Sequence, residues 1–115
     1  MPNLYLGPDC LRFEQVVIDR VLGPRSSGNY ALGVKNEAGE FVPLMIGRSD
    51  TDLRSELTAK LATDKYPYFK FNVTSPQAAY EMECAQYHNF KRQLAKNSHP
   101  VPPEGSDMNC FLCGQ

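Results

Sequence analysis

The chain has 115 residues, 42% of them hydrophobic, with 12 basic and 13 acidic side chains and a formal net charge of -1. That length supports one modest core, and that composition is globular, not disordered. No apolar run approaches the roughly 18 residues a membrane span needs, and the charge balance leaves nucleic-acid attraction to a local basic face. The opening MPNLYLGPDC has neither a basic start nor a long apolar stretch. It therefore gives no sign of a secretory signal, and a cytoplasmic protein is expected.

Residues 11–22, LRFEQVVIDRVL, mix apolar and charged positions in a way that fits a strand or a short helix equally. GPRSSG, from Gly23 to Gly28, is a turn by composition. NYALGVK and EFVPLMIG then flank NEAG, Asn36 to Gly39, and predict a β-hairpin. Pro43 places its strand at a sheet edge or makes it start late. In RSDTDLRSELTAKLA, Asp50 or Ser49 is positioned to cap a helix whose Leu53, Leu57 and Leu61 form an apolar stripe.

YPYFKFNVT, Tyr66 to Thr74, is aromatic and β-branched and reads as a third strand. Its Tyr66, Tyr68, Phe69 and Phe71 suit one core face, or stacking on bases. Ser75-Pro76 is a strong helix start, serine as cap and proline at the first helical position, and the helix should run to about Lys91. Beyond it the chain is rich in Pro, Asn, Ser and Gly and needs a staple to be ordered. The expected fold is α+β: a small, three-stranded, mainly antiparallel sheet flanked by helices. One domain, 1–115, divides into a body over 11–95 and a tail over 96–115.

Four cysteines in such a chain read as thiols or metal ligands. Cys84 and His88, four apart on the last helix, share a face, and Cys110 and Cys113 make a Cys-x-x-Cys in the tail. Thiolates with an imidazole suit a closed, structural zinc, and His99 competes with His88 for the fourth place. The alternative is ordinary packed residues on the helix and free thiols in the tail. Cys10 stands alone and is expected to be a small packed thiol.

Gly28-Asn29-Tyr30 on the first hairpin strand, Met45-Ile46-Gly47 on the second, an arginine near the next helix and Glu83 on the last occur in a telling order. Together they resemble the GIY-YIG nuclease superfamily over residues 28 to 88. The IGRSD, YFKF, EC-x-x-YH, His-Pro and Cys-x-x-Cys segments look like a divergent branch with a zinc-binding tail. The resemblance implies a GIY-YIG-like fold and metal-dependent endonuclease hydrolysis of nucleic-acid phosphodiesters. It makes Tyr30 the residue at the nucleophile, Arg48 or Arg54 the phosphate-stabilising cation, and Glu83 the ligand of a catalytic Mg²⁺ or Mn²⁺ beside the structural zinc.

Two positions depart from the family pattern. Met45 replaces the second tyrosine, and Glu56 falls where the catalytic arginine is expected. A degenerate site follows as the alternative: a non-catalytic, zinc-stabilised module binding nucleic acid or a protein partner. Arg54 and Glu56 discriminate, since Arg54 in the cleft beside Tyr30 and Glu83 keeps catalysis open and Glu56 in its place favours binding.

Overall fold

The computed structural model describes Leu6, residues 10–94, Pro100, Val101 and Pro103. Among these residues the elements are β1 (Leu11–Arg12), α1 (Gln15–Val21), β2 (Gly28–Lys35), β3 (Phe41–Ser49), α2 (Leu53–Thr63), β4 (Tyr68–Val73) and α3 (Pro76–Phe90). The segment that fitted strand and helix equally holds both, a two-residue strand and then a seven-residue helix.

The sheet has four strands in the order β1-β4-β2-β3, every pair antiparallel. This corrects the three-stranded expectation. The extra strand is only Leu11 and Arg12, held opposite Phe69 and Tyr68, with the Phe13 amide donating to the Pro67 carbonyl at 2.9 Å. Two residues carry no alternation to read, so nothing local announces such a strand.

β2 and β3 form the hairpin. Its turn is built by Asn36, whose Oδ1 accepts from the amides of Ala38 and Glu40 at 2.9 Å each, and by Gly39 at φ 79°. An asparagine that closes its own turn and a glycine free to take positive φ are what such a connection needs. β3 is an edge strand, which tolerates Pro43, and the register slips between Leu32 and Gly33 where that proline pairs.

α2 is capped by Asp52, whose carboxylate accepts from the Ser55 amide at 3.2 Å. Neither Ser49 nor Asp50 is the cap. Ser49 Oγ instead accepts from the amides of Thr51 and Asp52, shaping the turn one step earlier. The leucine stripe behaves as predicted, with Leu53 and Leu57 fully buried and Leu61 against the core. At the start of α3 the Ser75 hydroxyl accepts from the Ala78 amide at 3.2 Å, with Pro76 in the first turn.

The main core lies on one face of the sheet. Tyr30, Leu32, Met45 and Phe69 project there against Phe13, Ile18 and Leu22 from the α1 region and Leu53 and Leu57 from α2. α3 packs on the opposite face, over β2 and β3. Asn29 points that way and donates from Nδ2 to the Ala79 carbonyl at 2.7 Å, so β2, an inner strand, is buried on both sides over its first six residues. Among the described residues no helix is long and apolar enough to cross a membrane.

Candidate functional site

The two tripeptides meet across the hairpin at a single pair, Tyr30 opposite Gly47. A β-carbon at Gly47 would land in the ring of Tyr30. The glycine is therefore the space in which the tyrosine lies, and its backbone approach admits no side chain. Tyr30 is 2% exposed and its hydroxyl donates to Glu56 Oε2 at 2.9 Å. Burial and then the Glu56 carboxylate push the phenol far above its ordinary range, so Tyr30 keeps its proton.

Glu56 and Arg54 sit two apart on α2, about 200° round the helix, so only one of them faces the sheet. Glu56 does. Arg54 turns to α1, where its Nε and a terminal nitrogen both lie 3.1 Å from Asp19 Oδ1.

Arg48, directly after Gly47 at the end of β3, is the cation that reaches α3. It donates to Glu83 Oε1 at 2.6 Å, to Asp50 Oδ1 at 2.9 Å and to the Val101 carbonyl, with its guanidinium 5.1 Å over the Tyr80 ring. The two partners are nearly enclosed, the Arg48 and Glu83 side chains being 11% and 13% exposed. Burial opposes the charge on Arg48, but the hydrogen bonds to Asp50 and Glu83 outweigh it and hold the guanidinium more firmly protonated than usual. Burial pushes Glu83 up; Arg48 pulls it down without cancelling that, and Asp50 and Glu56 push further upward.

Arg48 thus pairs with two carboxylates, Asp50 and Glu83, while Glu56 accepts from the Tyr30 hydroxyl. Of the predicted catalytic residues the structure gathers Tyr30, Arg48 and Glu83 at one end of the sheet, and leaves Arg54 outside. Asp50 and Tyr80 were not foreseen from the sequence. Their only local signals were an acid two residues after Arg48 and an aromatic one helical turn before Glu83. Met45, where the family pattern has tyrosine, is 5% exposed and packs in the main core. It supplies no phenol.

Cys84 is fully buried on α3 beside Tyr80, and His88 lies one turn on, its ring edge-on to Tyr87 at 5.3 Å. His99, Cys110 and Cys113 lie outside the described residues. Among the described residues no three His, Cys, Asp or Glu side chains cluster in a way that could hold a metal. No family model, curated protein or solved structure matches the chain.

Proposed function

We propose that the chain is a GIY-YIG-like domain that binds nucleic acid without cutting it. The observation that supports this is the bond from the Tyr30 hydroxyl to Glu56. A hydrolytic cleft needs a cation at the Glu56 position to meet phosphate; a carboxylate there repels it. A buried phenol that holds its proton against a neighbouring carboxylate is also a poor base for activating water. Nor does the cleft as arranged fit a hard divalent cation at Glu83, because the Arg48 guanidinium already occupies Oε1 and would repel the ion.

A structural zinc belongs to the same proposal. Cys84 and His88 offer a thiol and an imidazole one helical turn apart, a donor set that suits zinc together with Cys110 and Cys113, and His99 competes with His88 for the fourth place. About one zinc per folded chain is the expected metal content. A well-folded protein purified free of zinc would remove this part.

The convergence of Tyr30, Arg48 and Glu83 favours a second reading, a Mg²⁺- or Mn²⁺-dependent endonuclease in which Arg48 leaves Glu83 for phosphate. The deciding experiment offers single-stranded, duplex and branched DNA and RNA with either ion to the wild type and to Glu83→Gln, scoring binding and cutting separately. Binding without cutting is expected. Metal-dependent cutting lost in Glu83→Gln would establish the endonuclease instead.

A further inference from the structure

The cleft carries more acid than base, so nucleic acid needs another surface. Phe69 and Phe71 of β4 point toward the main core, so the alternate residues Tyr68 and Lys70 point to the face on which α3 lies. α3 covers β2 and β3 on that face. At the end of the sheet away from Arg48 and Glu83, Lys35 Nζ lies 4.7 Å from the centre of the Tyr68 ring, and Lys70 Nζ lies 5.5 Å from that of Phe41. Phe41 and Tyr68 are each partly exposed. The middle strand presents only Ala31 and Gly33 opposite Lys70 and Tyr68, so side chains from the two flanking strands lean over it. Gly33 cannot be larger, since a β-carbon there would strike the Val42 carbonyl.

We propose that Lys35, Phe41, Tyr68 and Lys70 form a binding surface for single-stranded nucleic acid, with bases stacked on the two rings and phosphates on the two lysines. This rests on the nucleic-acid-binding reading and moves its contact surface away from the cleft. β4 and β3 are separated by β2, so the rings stand roughly 10 Å apart across the strands, a spacing for separate bases. Only an unpaired strand can lay its base faces on protein rings, which selects against duplex. Among the described residues neither lysine is in an ion pair, so both ammonium groups are available to phosphate. Glu37 and Glu40 occupy the adjacent turn. The footprint is therefore two phosphates and not a broad basic field.

The test is fluorescence anisotropy of the full chain with a labelled single-stranded oligonucleotide and a duplex of equal length, over a range of KCl. Single strands should bind in preference, with log K falling against log salt at a slope of about -1.4, from two phosphate contacts. Tyr68→Ala should weaken binding about 5- to 100-fold and Tyr68→Phe should restore it. Lys35→Gln/Lys70→Gln should flatten the salt slope, whereas Lys60→Gln/Lys65→Gln, an equal loss of charge elsewhere, should not. Circular dichroism confirms that each variant is folded. Equal binding of duplex, or single-strand binding untouched by the Tyr68 and lysine variants, overturns this surface and leaves the binding reading standing. A folded wild type that binds neither nucleic acid overturns both.

Discussion

The two ends of the sheet use their cations differently. At the cleft end, the hydrogen bonds of Arg48 go to Glu83, Asp50 and the Val101 carbonyl, and the Tyr30 hydroxyl goes to Glu56, so the polar groups answer one another inside the protein. At the far end, Lys35 and Lys70 lie over rings that give a cation a weak, displaceable partner. Charge spent on internal pairing holds elements in place. Charge resting on an aromatic face remains open to a ligand.

The largest effect that follows is at Arg48. Arg48→Met leaves Glu83 nearly enclosed without its cation, and stability at pH 7 should drop by about 3 kcal/mol, the usual cost of removing one partner of a buried pair. The loss should shrink in acid, where Glu83 takes up a proton and no longer needs the guanidinium. Urea denaturation at pH 7 and pH 4 measures both numbers. A neutral substitution at pH 7 would mean that the cleft end is not held by its ion pair, and the contrast between the two ends would collapse.

Next is Gly47→Ala. Its β-carbon has to displace the Tyr30 ring, and with it the bond to Glu56, so a loss of about 2 kcal/mol is expected, in the range of overpacking a filled core. A second variant, Gly47→Ala/Tyr30→Leu, should recover part of that loss by removing the ring that is struck. If the single variant is as stable as wild type, the ring has room to move and the approach of the two tripeptides is not close-packed.

These two residues also show what the sequence made legible. The hairpin, the leucine stripe of α2 and the Ser75-Pro76 start of α3 are local signals, each written in neighbouring residues, and each appears in the fold. The partners of Arg48 were legible only in part: Asp50 stands two residues on, but Glu83 and Val101 reach it from distant segments that only the folded chain brings together. The rotation of α2 was half legible: Arg54 and Glu56 had to face opposite ways, but which of them met Tyr30 depended on Asp19 waiting on α1. The aromatic strand was read as one core face, whereas alternation sends Phe69 and Phe71 inward and Tyr68 to the other side.

A smaller effect concerns pH. Glu83 titrates above its ordinary value of 4.5 in the folded chain, chiefly through burial, so the fold favours its protonated form. That contribution is fully present below 4.5 and is lost as pH rises through the raised value. Asp52 acts with the opposite sign: the hydrogen bonds from Ser55 lower it, so its contribution is present above 3.8 and is lost as pH falls through the lowered value. Glu83→Gln keeps an acceptor for Arg48 and should flatten the stability profile in the upper window alone. A profile unchanged from wild type would show that Arg48 neutralises Glu83 more completely than its burial opposes.

The smallest expected effect sharpens the comparison most. Lys35→Gln/Lys70→Gln removes two cations that sit on rings and enter no ion pair among the described residues, so stability should change by less than about 0.5 kcal/mol, as at ordinary surface positions. Arg48→Met removes one cation and is expected to cost several times more. Thermal denaturation of the two variants under one buffer gives the ratio directly. If the lysine pair proves as costly as the arginine, its cation-π contacts are structural, the rings are covered for stability's sake, and the far end of the sheet is no more open to a ligand than the cleft. If the pair is silent in stability while the salt slope of oligonucleotide binding falls, the same two substitutions separate a charge that holds the fold from a charge that is held out to a partner.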